Sequence, residues 1–140
     1  MRPINLKKYI MGFLNNIFGS EKEVKDEKVL PWIPLNSVAQ LDVIAKKSMT
    51  KPQLIFKHST RCGISRMVIK QFVEDYNFSE EDFDLYYLDL LNHRDVSSEV
   101  GFKFQVNHES PQVLVIKNGV AVAFASHGGI NQIDLNQFVK

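Results

Sequence analysis

The sequence predicts an α/β domain in which a mixed sheet of four or five strands carries helices on both faces. Short apolar runs of β type alternate with segments of helical periodicity, which favours parallel strands and right-handed crossovers. Asn118-Gly119 stands between the last two β runs and is a strong signal for a hairpin, hence for an antiparallel edge. The chain has 140 residues, of which 44% are hydrophobic, enough for one domain with its own core.

The N-terminal part of the chain is predicted to lie outside this domain. Residues 1–19 carry apolar side chains at helical spacing and predict a short amphipathic helix. Residues 20–28 are almost all charged and predict a solvated linker. We therefore divide the chain into an N-terminal segment with its linker, residues 1–31, and a domain, residues 32–140.

The first half of the domain is predicted as strand, helix, strand and helix. Trp32–Leu35 is a short edge strand, because Pro34 cannot donate a ladder hydrogen bond. Ser37 with Gln40 forms a capping-box start for the first helix. Residues 54–56 predict a buried strand, and residues 62–76 a helix lying flat on the sheet. The inward stripes of the two helices are Val38, Leu41, Ile44 and Ala45, then Ile64, Met67, Val68, Ile69, Phe72, Val73 and Tyr76.

The second half adds three strands and two helices. Residues 83–91 predict a strand, and Asn92 caps a helix whose inward residues are Val96, Val100 and Phe104. Residues 113–116 and 120–125 predict the two strands of the hairpin. Asn131 caps a last short helix that contains Leu135 and Phe138. The resulting order, β-α-β-α-β-α-β-β-α with a mixed sheet, is the thioredoxin-like layout.

Composition excludes several classes of function. Lys plus Arg number 17 and Asp plus Glu 16, so a net charge of +1 gives no global field for binding nucleic acid. One cysteine excludes an intrachain disulfide framework and a Cys-rich zinc or iron–sulfur site within one chain. No segment approaches the roughly 18 apolar residues of a membrane span, and no cleavage site follows the N-terminal apolar run. We expect a cytoplasmic protein with no membrane span.

Metal chemistry is also not expected. The four histidines match no spacing of metal ligands, and we predict structural or surface roles for them and no metal site. They are His58, His93, His108 and His127.

Cys62 is the candidate nucleophile. It stands between a strand that ends near Lys57 and a helix that begins near Gly63, and a helix N-terminus stabilises a thiolate. The polar run before it, which includes His58, Thr60 and Arg61, predicts an exposed loop with nearby cations. This setting favours a reactive thiol over a buried cysteine that serves only packing.

The residue three positions after Cys62 is where a two-cysteine redox motif has its resolving thiol. Ser65 stands there; it can donate a hydrogen bond to a thiolate but cannot form a disulfide. The motif Cys62-Gly63-Ile64-Ser65 is therefore monothiol, and a mixed disulfide on Cys62 needs an external thiol to resolve it.

Two further segments are candidates for substrate binding. Ser110-Pro111 directly precedes the fourth β run, and in a thioredoxin-like sheet such a proline is cis and lies beside the reactive cysteine. The backbone of Ser110 could then pair with an extended substrate. Gly128-Gly129 could bind the carboxylate of a thiol cofactor, with a simple turn as the alternative.

At these residues the sequence resembles the bacillithiol-system monothiol bacilliredoxins, over residues 32–140. The similar blocks are Trp32–Leu35, Leu41-Asp42, residues 55–62 with Ile64 and Ser65, Tyr87–Arg94, His108–Gln112 and Ala125–His127. Two positions depart from the family's pattern. Gly63 stands where the family commonly has proline, and Gly128-Gly129 where it tends to have Trp-Asp.

The resemblance implies a thioredoxin fold and a bacterial cytoplasmic thiol-disulfide oxidoreductase. Cys62 would take bacillithiol from a protein mixed disulfide, and a second low-molecular-weight thiol would release it. The partners would be S-thiolated proteins and bacillithiol as co-substrate, with no tightly bound cofactor. Supporting residues would be Thr60, Arg61, Gly63 and Ser65, and substrate- or thiol-binding residues His58, Ser110, Pro111, His127 and Gly128.

Two alternatives stay open. Gly63 makes the motif partly similar to that of monothiol glutaredoxins, in which two chains share a [2Fe–2S] cluster through their cysteines and two free thiols. The other alternative is a thioredoxin-like binding module with an inert cysteine.

Overall fold

The computed structural model describes residues 27–139, which form a five-stranded sheet with helices on both faces. The elements are β1 (Trp32–Pro34), α1 (Ala39–Lys47), β2 (Gln53–His58), α2 (Gly63–Asp75), β3 (Asp84–Asp89), α3 (Arg94–Phe104), β4 (Gln112–Lys117), β5 (Val120–Ser126) and two 3₁₀ helices (His127–Gln132 and Leu135–Phe138). The predicted fold class and the predicted order through β5 are confirmed. The amphipathic helix predicted over residues 1–19 and most of the charged linker lie outside the described residues.

The strand order is β1-β3-β2-β4-β5, with β1 at one edge as predicted. β1, β3 and β2 are parallel, whereas β4 is antiparallel to β2 and β5 is antiparallel to β4. Helix–strand alternation predicted a parallel β4, and this was wrong. Residues 105–111 carry the chain back to the end of the sheet where β2 finishes, so that Gln112 pairs with Lys57. The ends of β2 and β3 and the start of β4 therefore share one end of the sheet.

Alternate strand residues supply two separate cores. Ile55, Tyr86 and Leu114 face α1 and α3, whose inward side chains include Val96. Leu54 and its neighbours on the other face pack against α2 and the first 3₁₀ helix. The residues of this second core are Leu30, Leu54, Phe56, Val68, Phe72, Tyr76, Phe83, Leu85, Val113, Val115 and Ile130. Helices on both faces were predicted and are confirmed.

The stripe predicted for α2 was too wide. Ile64 is 58% exposed and Met67 73% exposed. The side chains that α2 buries are Ser65, Val68 and Phe72. Ile69 and Val73 are partly buried against the same core, so the predicted stripe was wrong at Ile64 and Met67, which lie on the solvent side of the first turns. In the first helix, Val38 was likewise placed wrongly in the inward stripe, since it is exposed.

The caps predicted for α1 and α3 differ in the structure. The Gln40 side chain accepts from the Ser37 amide at 3.0 Å, but the Ser37 hydroxyl contacts that same side-chain oxygen at 3.4 Å rather than a helix amide. Asn92 donates to Asp89 at 2.8 Å, and α3 has His93 at its N-cap position. In both cases the side chain donates to a side-chain acceptor, and the helix begins one residue later than predicted, with Val38 and His93 at the N-cap positions.

The predicted C-terminal helix is replaced by two 3₁₀ helices. Asn131 lies inside the first of them and donates to the Val68 carbonyl at 3.3 Å. Asp134 caps the second by accepting from the Asn136 amide at 3.1 Å. The Asn118-Gly119 hairpin is confirmed, with φ of 54° and 80° at its two turn residues.

The first described residues lie beside the C-terminal end of α2. Leu30 is buried in the second core, and the Lys28 ammonium donates to the Tyr76 carbonyl. Within residues 27–139, none of the helices has both the length and the apolar character needed to cross a bilayer.

Candidate functional site

Cys62 lies at the N-terminus of α2, as predicted. It is the N-cap residue, with extended backbone at φ −98° and ψ 122°. Its amide donates to the Ser59 carbonyl at 3.1 Å, and its carbonyl accepts from the Arg66 amide at 3.0 Å. The thiol is free and half-buried. Cys62 thus stands where the unpaired amides of the first helical turn and the positive end of the helix dipole are directed.

The residues around Cys62 form an exposed cationic rim. Thr60, Arg61 and Gly63 are all exposed. The Arg66 side chain folds back along this loop and donates to the Thr60 carbonyl at 3.2 Å. Its Nη2 atom lies 3.9 Å from the position that a Cβ would occupy at Gly63. The one-turn spacing from Cys62 to Arg66 was visible in the sequence, but the direction of the side chain was not.

Ser65 joins α2 to the end of β2. Its side chain is fully buried, its Oγ accepts from the Ser59 amide at 3.0 Å, and it lies 2.7 Å from His58 Nδ1. Two predicted site residues, His58 and Ser65, are thus in direct contact. A hydrogen bond from the Ser65 hydroxyl to the Cys62 sulfur stays a prediction.

The prediction that His58 belongs to an exposed loop was wrong, because it is the last residue of β2 and is buried. Burial lowers its pKa below the usual value, the negative charge of Asp89 opposes this, and the charge of Arg66 adds to the lowering. Asp89 is the β3 residue opposite His58 in the strand register. One oxygen of Asp89 accepts from Asn92, while its other oxygen is buried without a hydrogen-bond partner. The ring of His58 also packs at a tilt against Tyr87, with 5.7 Å between centroids.

Ser110 and Pro111 lie at the same end of the sheet as Cys62. The Ser110–Pro111 peptide bond is cis, as expected from the fold. Pro111 is buried directly before β4, and its carbonyl accepts from the His127 amide at 3.0 Å. The Ser110 hydroxyl is buried without a partner. His127 and Gly128 are exposed at the start of the first 3₁₀ helix, and no atom lies within 4 Å of a Cβ placed on Gly128.

Sequence reasoning missed Lys57. This β2 residue is fully buried, and burial lowers its pKa to about 8. Its ammonium donates to the Ser97 carbonyl at 3.0 Å and lies 3.2 Å from His108 Nδ1. The available signal was a lysine inside a strand whose other residues are of buried type.

The described residues contain no evident metal site. Within residues 27–139, no three His, Cys, Asp or Glu side chains are grouped so that they could hold an ion.

Comparison with known proteins gives a family and a fold. Residues 33–135 match the family described as Monothiol bacilliredoxin BrxC. A solved structure described as a proposed oxidoreductase with a thioredoxin fold is 36% identical, with a TM-score of 0.63, and the match covers 75% of this chain and 90% of that one.

Two thioredoxins show the same fold at lower identity. The thioredoxin of Malassezia sympodialis is 18% identical, with a TM-score of 0.60 and coverage of 75% and 88%. That of Schistosoma mansoni is 20% identical, with a TM-score of 0.55 and coverage of 77% and 95%. The thioredoxin-like fold predicted from the sequence is confirmed.

Proposed function

The chain belongs to the monothiol bacilliredoxin family, and we propose that it removes a low-molecular-weight thiol, bacillithiol, from protein mixed disulfides through Cys62. Thiol redox chemistry is the part that the family and the 36% identical oxidoreductase-like structure support directly. Bacillithiol as the co-substrate, S-thiolated proteins as the partners and the bacterial cytoplasm as the location are our extension of it.

The reaction consists of two thiol–disulfide exchanges. The Cys62 thiolate attacks the bacillithiol sulfur of the mixed disulfide, and the protein cysteine leaves as a thiolate that takes up a proton. Bacillithiol is then bound to Cys62 by a new disulfide. A second bacillithiol thiolate attacks the sulfur of the bound bacillithiol, which releases Cys62 and gives bacillithiol disulfide. In the net reaction one free bacillithiol thiol and the mixed disulfide give the protein thiol and bacillithiol disulfide, so one disulfide is exchanged for another and no further reductant is needed.

The observation that carries the proposal is the pairing of Cys62 with Ser65. Cys62 is a half-buried thiol at the N-terminus of a helix of 13 residues. Ser65 occupies the resolving position and is bound by hydrogen bonds to His58 and Ser59. With one cysteine in the chain, no intramolecular disulfide can release an adduct, so the second thiol must come from solution.

The remaining site residues take positioning roles in the proposal. Thr60, Arg61 and Gly63 form the exposed rim beside the thiol, and the positive charges there suit a thiol cofactor that bears carboxylates. The backbone of Ser110, next to Pro111, offers a strand-like edge to the substrate.

The residues proposed to contact the thiol cofactor are joined to Pro111, whose carbonyl accepts from the His127 amide at 3.0 Å. His127 and Gly128 are exposed and leave open space for it. His58 is buried and takes part only through Ser65, whose Oγ lies 2.7 Å from His58 Nδ1.

The test is removal of bacillithiol from a model protein that carries one S-bacillithiolated cysteine. We expect the wild-type protein to release the thiol in the presence of free bacillithiol and to gain the mass of bacillithiol on Cys62 in its absence. Cys62→Ser should do neither. Equal activity of Cys62→Ser and wild type overturns the proposal, and an unmodified Cys62 after exposure to bacillithiol disulfide favours a non-catalytic binding module.

Gly63 supports a second candidate, because it makes the motif similar to that of monothiol glutaredoxins. In that function two chains would share a [2Fe–2S] cluster through their Cys62 residues and two free thiols. Anaerobic reconstitution with iron, sulfide and thiol tests it. A coloured dimer that Cys62→Ser does not form supports the cluster carrier, and a colourless monomer excludes it.

A further inference from the structure

Lys57 is a buried cation that the chemistry proposed for Cys62 does not use. Its side chain is 0% exposed. The ion pairs formed among the described residues are Lys51 with Asp84 and Lys103 with Asp42, so no carboxylate neutralises Lys57. A buried charge without a counter-ion is costly, and proteins retain such groups mainly where position or function requires them.

The two contacts of Lys57 join three segments of the chain. Ser97, whose carbonyl accepts from the ammonium, belongs to α3. His108, whose Nδ1 lies 3.2 Å from the ammonium, belongs to the loop of residues 105–111. Lys57 itself belongs to β2, which ends four residues before Cys62. One ammonium therefore links the strand that leads to the thiol with α3 and with the loop that leads to Ser110 and Pro111.

The same loop is attached to Lys57 a second time, through the backbone. Gln112, the first residue of β4, pairs with Lys57 in the antiparallel ladder. The Gln112 side chain in turn donates to the Asn107 carbonyl at 2.9 Å. Ser110 lies between these two attachments. Its backbone position thus depends on His108 on one side and on Gln112 on the other.

We propose that Lys57 is a positioning residue that holds the Ser110–Pro111 loop where its backbone meets the thiol substrate. This rests on the proposed function of Cys62 and adds to it a residue that touches no substrate. Lys57 acts through the ring of His108, so the two side chains form one unit.

The protonation states fit this arrangement. An ammonium that donates to Nδ1 requires a neutral His108 with its proton on Nε2. The pKa of His108 is lowered by burial and by the positive charges of Lys57 and Arg94, while Glu109 opposes them. Because His108 is exposed on its outer side, solvent protons can reach it. A proton on Nδ1 would set a donor against the ammonium and break the contact.

The test uses Lys57→Met and His108→Ala, with Asn107→Ala as the matched control in the same loop. His108 is exposed, so its variant should fold even if Lys57→Met does not. With an S-bacillithiolated peptide as substrate, we expect both variants to raise KM about tenfold, the worth of one charge-assisted hydrogen bond. The kcat should stay within about twofold of wild type, and so should the rate at which iodoacetamide alkylates Cys62. The double variant should be no worse than either single one.

Nuclear magnetic resonance supplies a readout that does not depend on activity. In Lys57→Met the His108 ring should titrate at a higher pH than in wild type, because a neighbouring cation has been removed. The amide shifts of Ser110 and Gln112 should move in Lys57→Met and His108→Ala but not in Asn107→Ala. Unmoved amide shifts overturn the inference whether or not the wild type transfers the thiol. An active wild type with unchanged KM in both variants also overturns it, whereas an inactive wild type with the expected shifts counts against the proposed function alone.

Discussion

Replacing Lys57 by methionine should stabilise the protein at neutral pH. Burial lowers the pKa of this lysine from 10.5 to about 8, and each unit corresponds to about 1.4 kcal/mol, so keeping the side chain charged costs about 3 kcal/mol. Methionine has similar length and no charge. It also gives up two charge-assisted hydrogen bonds, to Ser97 and His108, each worth about 1.4 kcal/mol. The net gain expected at pH 7 is therefore roughly 0.5 kcal/mol.

The gain should reverse in alkali. Between pH 8 and 10.5 the unfolded chain holds the Lys57 proton and the folded chain does not, so the stability of the wild type rises with pH in this window. Lys57→Met lacks that rise, and the two stability curves should cross. Burial raises the pKa of Tyr86 to about 12 and also raises that of Tyr76, so both proteins lose stability above about pH 10, and this loss cancels in the difference.

Urea unfolding between pH 6 and 10.5 measures the effect. Trp32 is the one tryptophan and packs against Phe56 and Phe72, so its fluorescence reports the loss of the core. A Cys62→Ser background removes thiol ionisation and oxidation from the comparison. Lys70→Met, at an exposed position of α2, is the control and should show no pH-dependent difference. A Lys57→Met protein less stable than wild type at pH 7, or a difference independent of pH, would refute the reasoning.

Three further predictions concern the same domain. Ser65→Ala removes the partner of His58 Nδ1 and of the Ser59 amide, and should lower the free energy of unfolding by roughly 2–4 kcal/mol. The control Ser59→Ala should lower it by less than about 0.5 kcal/mol, and equal urea midpoints for the two variants would contradict the prediction. Gly101→Ala places the new Cβ 2.9 Å from the Val106 carbonyl oxygen and should lower the melting temperature. Gly63→Ala should not, because apart from the adjacent residues and its own helix backbone the nearest atom is 3.9 Å away; equal melting temperatures of the two variants would contradict this. Burial lowers the pKa of His58, so below about pH 6.5 the unfolded chain binds a proton that the folded chain does not, and the free energy of unfolding should fall as the pH drops. This fall should be less steep in His58→Gln, and identical slopes of unfolding free energy against pH in the two proteins would refute the prediction.

The features predicted correctly depend on a few adjacent residues. Cys62 between a polar run and Gly63 is enough to indicate a helix N-terminus, and Asn118-Gly119 is enough to indicate a hairpin turn, because each signal concerns local backbone geometry. The cis bond at Pro111 needed the fold as well, since the local sequence alone leaves both isomers open.

The features that were missed depend on residues far apart in the sequence. The acceptors for Lys57 lie 40 and 51 positions further along the chain, so no local pattern indicates them. The direction of β4 depends on where residues 105–111 return, which helix–strand alternation does not encode. Asn92 illustrates a third limit, because the helix it was expected to cap begins one residue later, with His93 at the N-cap position, and the Asn92 amide donates to Asp89 instead.

The entry of the chain beside Tyr76 has an electrostatic consequence for the thiol. Lys28 contacts Tyr76, which directly follows α2, and Cys62 directly precedes α2. Lys28 and Cys62 are therefore separated by the length of this helix of 13 residues, about 20 Å. That distance is about twice the Debye length at 0.1 M salt. The charges of Glu27 and Lys28 are therefore screened from the sulfur in physiological buffer. If the protein were attached to a surface or a tag through the chain that precedes Lys28, Cys62 would lie at the end of α2 that faces away from the attachment point.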